Sequence, residues 1–185
     1  MARKEKITKE DILAAAFQIA KRDGMQEVTA RKLALEIGCS TQPIFRVFQG
    51  MDDVIAQLFS MITNFFEEYY EKYAGNESIP FIRLGMAYIS FAEKEKHLFY
   101  ALFLTTERGG KTLYELLNGQ KGLLVKEINK SKELGINNPG DLFMKLWIFI
   151  HGAACMMITG DYDLPEEETE MLLIESFQAY AKGNR

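Results

Sequence analysis

Apolar residues recur along this chain at intervals of three and four, the spacing that places side chains on one face of an α-helix. The first such stripe, from Ile12 to Ala20, predicts a helix over 9–23 that begins after Thr8 and ends at Gly24. The four prolines all stand where helices can start, and no stretch shows the alternation and turn of a β-hairpin. The pattern predicts an all-α protein.

The remaining elements follow from the same stripes and breaks. A second helix capped by Thr29 ends at Ile37, and a third runs from Thr41 to about Phe48. Further helices are predicted near 51–73, 79–93, 95–104, 111–134, 139–160 and 165–182, and Gly119 and Gly122 weaken the helical signal within 111–134. Three small helices thus precede a helical bundle, and we predict domains at 6–66 and 67–185.

The composition is that of an ordinary globular chain, with 48% apolar and 26% charged residues among 185. The net charge of −4 is unevenly distributed: residues 1–50 carry nine basic and six acidic residues, a net +3, whereas 51–185 carry 13 and 20, a net −7. This asymmetry suggests a module that faces a polyanion, attached to an acidic body. The longest uncharged apolar stretch, 146–158, falls short of the ~20 residues of a membrane span. We expect a cytoplasmic protein without a membrane segment.

Residues 29–48 have the pattern of a helix-turn-helix, a unit that places its second helix in the major groove of DNA. Two short helices are joined by a turn at 38–40. Thr41 and Gln42 fall in the first turn of the predicted third helix, which is the second helix of this unit, and side chains there reach base edges. Arg31, Lys32 and Arg46 are candidates for contacts to phosphates. From spacing alone, an ordinary αα-hairpin with solvated charges explains the pattern equally well.

A resemblance favours the first alternative. The residues that carry it are Thr8, Ile12-Leu13, Ala15-Ala16, Gly24, Thr29, Arg31, Leu33-Ala34, Gly38-Cys39-Ser40, Ile44-Phe45-Arg46, Phe48, Asp52-Asp53 and Ile55. In this order they resemble the DNA-binding domain of the TetR family of transcriptional regulators over roughly residues 6–65. The length of the chain and its all-α remainder agree with that family.

The resemblance implies a function and a set of contacts. It implies a DNA-binding regulator, predicted to be a repressor, that binds a palindromic double-stranded operator as a homodimer through about 139–160 and 165–182. A small-molecule effector bound in the C-terminal domain would release the operator. The alternative is a helical small-molecule-binding protein with weakened or lost DNA binding. The predicted DNA-binding residues are Thr29, Arg31, Lys32, Ser40, Thr41, Gln42, Pro43, Phe45 and Arg46.

The chain departs from the family pattern at three positions. The family often has Tyr where this chain has Phe45, His at Val47 and Lys at Met51. In the family, the Tyr and the Lys usually contact DNA phosphates, so this chain lacks two contacts to the phosphate backbone of DNA. We hypothesise that the basic residues carry the electrostatic share instead; these are Lys4, Lys6, Arg31, Lys32 and Arg46.

The C-terminal part is dense in aromatic residues, most of which we interpret as core. Five are predicted to line an effector pocket by analogy with the family: Tyr88, Phe91, Phe103, Trp147 and His151. His151 and Cys155 have the spacing of a metal-ligand pair, but no third ligand is near in sequence, so a core or interface position is favoured. No catalytic motif is complete. We therefore predict no enzyme activity, no cofactor and no metal.

Overall fold

The computed structural model describes residues 7–183, and within that range the regular secondary structure is entirely helical. The predicted all-α class is confirmed. The chain divides into two compact units, the first formed by 7–64 with 97–111 and the second by 65–96 with 112–183. Because 97–111 falls in the first unit, this division differs from the predicted boundary after residue 66, which stays a prediction.

The first unit contains the small helices that the sequence pattern predicts. Its N-terminal helix packs against the two that follow. The elements are α1 (Lys9–Asp23), a 3₁₀ turn (Met25–Glu27), α2 (Ala30–Ile37), α3 (Gln42–Val47), the beginning of α4 (Met51–Lys72), most of α6 (Lys96–Phe99) and a π-helical turn (Tyr100–Leu104).

Local side-chain chemistry sets both ends of α1. The Thr8 hydroxyl accepts a hydrogen bond from the backbone N–H of Asp11, and the Asp11 carboxylate accepts from the N–H of Thr8, which forms a capping box. Gly24 ends the helix at a φ of 101°, a backbone conformation that favours glycine. The apolar stripe between these ends, Ile12 to Ala20, is buried.

The second unit is a bundle in which α5 packs against α9 and α10. Gly85 lies at the closest approach: a Cβ added there would stand 2.7 Å from Cδ2 of Leu173 and 2.8 Å from Cδ1 of Ile150. The elements are the end of α4, α5 (Ile82–Lys94), α7 (Leu113–Asn118), α8 (Leu123–Glu133), α9 (Pro139–Thr159) and α10 (Glu166–Lys182).

Three predicted helices differ from those in the structure. The one predicted over 111–134 is divided into α7 and α8 because Gly119 and Gly122 take positive φ values of 57° and 68°. The helix predicted from 79 begins only at Ile82, after Phe81 with a φ of 67°. The helix predicted over 95–104 ends in the π-helical turn.

By length and composition, α9 could cross a membrane, and it is the one helix within 7–183 that could. Less than half of its most apolar window, 39%, is buried. A core helix of a globular protein meets the same criterion. The exposed remainder includes Met144, Ile148 and Met156, which are 55%, 69% and 45% exposed.

Candidate nucleic-acid interface

The turn between α2 and α3 has the hydrogen bonds of a closed helix end. Gly38 adopts the left-handed conformation, with φ 75° and ψ 37°, and its N–H donates to the carbonyl of Leu35 at 3.2 Å. The N–H of Cys39 donates to the carbonyl of Ala34 at 2.8 Å. At the other end of α2, the Thr29 hydroxyl accepts from the N–H of Lys32 at 3.2 Å. Hydrogen bonds therefore close both ends of α2, and the predicted turn follows its C-terminal end.

The inner face of the two helices is buried as the apolar spacing predicts. Leu33 and Ile44 are fully buried, and Phe48 is 3% exposed. Ile37, at the end of α2, is only half-buried. The ammonium of Lys9 lies 5.2 Å from the centroid of the Phe48 ring. Burial on this side turns the opposite side of α3 to solvent.

The outer face of α3 brings most of the predicted DNA-contact residues onto one surface. Thr41, the residue before the helix, makes no side-chain capping bond there. It is exposed, as is Gln42. Gln42 also lines a surface depression. The other residues that line it are Ser40, Pro43, Phe45 and Arg46. This surface presents hydroxyl, amide, aromatic and guanidinium groups side by side.

The three predicted phosphate-binding cations differ in their surroundings. Among residues 7–183, Arg31 and Arg46 are exposed and have no ion-pair partner. Lys32, in contrast, is paired with the carboxylate of Glu27, and its Nζ lies 3.9 Å from Asp23. The two residues do not have the spacing of a helical pair, because Glu27 belongs to the 3₁₀ turn before α2. Lys32 therefore carries a largely compensated charge.

Asp23 belongs to a small network on the same side of the unit. The Arg22 guanidinium contacts the carboxylates of Asp23 at 3.1 Å and Glu36 at 3.2 Å. Its hydrogen bond to Asp23 lowers the pKa of that carboxyl below the usual value. Asp23 therefore stays ionised at neutral pH, and its charge reduces the positive potential beside α2.

The positions that depart from the family pattern lie on two elements. Phe45 is 50% exposed, with an aromatic face but no hydroxyl to donate. Met51 is half-buried at the first position of α4. Asp53 in the same turn accepts hydrogen bonds from the side-chain amide of Gln57 at 2.6 Å and from the backbone N–H of Gln49 at 3.2 Å, which lower the pKa of its carboxyl. Lys4 and Lys6, the other predicted cations, lie outside the described residues.

Of the five residues predicted to line an effector pocket, four lie in the second unit and Phe103 lies in the first. Three form one packed cluster. The Tyr88 hydroxyl is 3.0 Å from Nδ1 of His151, the Trp147 ring stacks on that imidazole at 5.5 Å, and Tyr88 meets Trp147 edge-on at 4.8 Å. Phe91 packs instead against Phe66 at 5.1 Å. Their role as ligand contacts stays a prediction.

His151 and Cys155 lie on one face of α9, as their spacing predicts. Burial raises the pKa of the Cys155 thiol, which favours the neutral form over a metal-binding thiolate. Within 7–183, no three His, Cys, Asp or Glu side chains are grouped as a metal ion would require.

Comparison with known proteins gives a fold. No family model matches the sequence, and no curated protein matches it. Two solved structures are similar over most of the chain. One, from Vibrio parahaemolyticus, is assigned to the TetR family of transcriptional regulators; it is 20% identical, with a TM-score of 0.65 over 92% of this chain and 97% of that one. The other, from Mesorhizobium loti and also assigned to that family, is 17% identical, with a TM-score of 0.54 over 92% and 93%.

The chain therefore has the fold of TetR-family transcriptional regulators, with a helix-turn-helix in its first unit. The resemblance seen in the sequence is confirmed at the level of the fold.

Proposed function

We propose that this protein is a DNA-binding transcriptional regulator of the TetR type that acts as a homodimeric repressor and is released by a small-molecule effector. The observation that carries the proposal is the outer face of α3. It presents Gln42 and Arg46, with Thr41 just before the helix, to solvent, while Ile44 on the opposite side is fully buried. Such a helix can enter a major groove while its buried side chain stays packed in the first unit.

Each exposed side chain has a chemical role in this proposal. Gln42 can pair bidentately with adenine, and Thr41 can bond a base or touch a thymine methyl. Arg31 and Arg46 supply charge to phosphates because neither has a counter-ion among the described residues. Phe45 offers an apolar contact, also suited to a thymine methyl, in place of a hydroxyl–phosphate bond.

The homodimer is supported by apolar side chains that α9 and α10 leave in water. On α9 they recur every four residues as a stripe, with Met144, Ile148 and Met156 around the exposed Gly152. On α10, Met171 is 57% exposed. We infer that a second copy covers this face, because soluble monomers rarely leave such contiguous patches bare. The α3 helices of the two subunits would then bind half-sites about one turn of DNA, roughly 34–36 Å, apart.

The proposal is tested with a labelled duplex from upstream of the gene that encodes the chain, beside a scrambled duplex of equal composition. Fluorescence anisotropy is measured over a series of salt concentrations. We expect tight, sequence-selective binding whose logarithm falls linearly with the logarithm of the salt concentration. R31A and R46A should each flatten that slope by ~0.9, and Q42A should lower the selectivity between the two duplexes.

K32A is expected to flatten the slope less than R31A, since Glu27 and Asp23 already compensate Lys32. K126A is the matched control, because it removes an exposed cation from α8 of the second unit. Equal, weak binding of every duplex would instead support a helical small-molecule-binding protein. An unchanged slope and affinity in R31A and R46A would refute the assigned interface.

A further inference from the structure

A wide groove in the first unit lies outside the DNA-reading surface and outside the predicted effector pocket. It runs between the 3₁₀ turn near Met25, the first turns of α4, and the segment 100–109. Its volume is about 1060 Å³, at the upper end of the roughly 300–1,000 Å³ of small-molecule sites. All of its lining residues belong to the first unit, so the groove is a feature of that unit by itself.

The walls of the groove are apolar and aromatic. Val28 and Phe59 are at the buried base, with 5% and 6% of their surfaces exposed. Tyr100 is 51% exposed and belongs to the π-helical turn, a backbone form that occurs frequently at functional sites. Ile55 and Leu104 add aliphatic surface. These walls suit a ligand that has substantial apolar area.

The charged groups that line the groove are all acidic. Asp52 and Glu107 contribute two exposed carboxylates, and no lysine or arginine lines it. Within 7–183, neither side chain has a hydrogen-bond or ion-pair partner. Arg108 is adjacent in sequence, but its guanidinium donates to the carbonyl of Phe103 at 3.2 Å and does not line the groove. The groove therefore combines apolar walls with two carboxylates that no described side chain pairs.

We propose that this groove is a binding site for a lipophilic organic monocation. The apolar walls bury the hydrocarbon of such a ligand, the rings of Phe59 and Tyr100 attract a cation by their negative faces, and the two carboxylates supply its counter-charge. An anion of the same size would bury its charge beside two like charges, which opposes binding. The site is separate from Tyr88, Trp147 and His151, and ligand binding there does not depend on DNA binding.

Two ions of nearly equal size and opposite charge test the proposal directly. Tetraphenylphosphonium and tetraphenylborate are titrated separately into the full chain, without DNA, and binding is measured by isothermal titration calorimetry. We expect saturable 1:1 binding of the phosphonium per chain and at least tenfold weaker binding of the borate. Equal binding of the two ions, or no binding of the phosphonium, would overturn the proposal.

Variants then locate the site and separate charge from shape. D52N combined with E107Q should lower phosphonium affinity at least tenfold, whereas E133Q, at an exposed position on α8, should leave it unchanged. A56W places a large ring in the groove at an exposed helix position and should abolish binding, while A14W, equally exposed on α1, should not. Circular dichroism verifies that each variant is folded. Full phosphonium binding by folded A56W would place the ion elsewhere and refute the assignment.

Discussion

Glu127 is a buried carboxylate on the inner face of α8, beside Leu123, Leu124 and Ser131. Only 3% of it is exposed, and it accepts hydrogen bonds of 2.8 Å from both the backbone N–H of Phe81 and the ammonium of Lys130. The Tyr70 hydroxyl lies 3.4 Å away. Burial, together with this carboxylate, raises the pKa of Tyr70, so the phenol stays a protonated donor at neutral pH. Glu127 thus provides a hydrogen-bond acceptor for the buried N–H of Phe81 and the buried hydroxyl of Tyr70.

Replacing Glu127 by alanine should destabilise the protein severely. The change strands the Phe81 N–H at a residue already held at a positive φ, and it removes charge-assisted bonds worth ~1.5–3 kcal/mol each. We expect the free energy of unfolding to fall by about 3 kcal/mol in urea denaturation. E133A, an exposed change on the same helix, should alter it by less than ~0.5 kcal/mol. Equal effects of the two variants would contradict this role.

At the scale of single elements, the helix ends agree with prediction wherever the signal is local. Thr8 and Gly24 bound α1, and Thr29 and Gly38 bound α2, because a cap needs only a side-chain oxygen or a residue that tolerates positive φ. The prediction of one continuous helix over 111–134 was wrong, because the structure has two helices there, α7 and α8. The apolar spacing continues across Gly119, but the backbone turns there against the carboxylate of Glu67, a residue 52 positions away that the local pattern cannot anticipate.

The packing of α5 allows an element-scale prediction in which helix propensity and packing have opposite signs. G85A should stabilise an isolated helix by ~1 kcal/mol, yet its methyl would overlap Leu173 and Ile150. We expect packing to dominate and the free energy of unfolding to fall by about 1–3 kcal/mol. G140A in α9 meets nothing closer than 3.7 Å and should be neutral or mildly stabilising. A more stable G85A would contradict the close approach of α5, α9 and α10.

For the whole molecule, the exposed stripe of α9 predicts the state of association. I148E places a charge at its most exposed apolar residue, where a partner subunit would have to bury it unpaired. We expect wild-type protein to sediment as a dimer and I148E as a monomer in analytical ultracentrifugation, with operator affinity reduced as well. V125E introduces the same charge on α8, away from the stripe, and should remain dimeric. A dimeric I148E would require another interface.

DNA binding by the whole molecule depends on which of the predicted phosphate-binding cations the fold leaves without a counter-ion. Arg31, Lys32 and Arg46 are equivalent in the sequence as exposed cations, but the 3₁₀ turn brings Glu27 to Lys32 alone. Sequence spacing could not reveal this, because the pair joins different elements. The acidic groove is a similar case, since Asp52 and Glu107 are more than fifty positions apart and meet its apolar walls only in the folded unit.

The sequence by itself determined the helical class, the ends of the first helices and the outward face of α3, because each depends on residues within one or two turns of each other. Tertiary structure decided the interruption at Gly119, the burial of Glu127, the compensation of Lys32 and the groove beside Phe59. These features depend on close contacts between residues distant in sequence. Periodicity records which side of a helix is apolar, but only packing determines what that side meets.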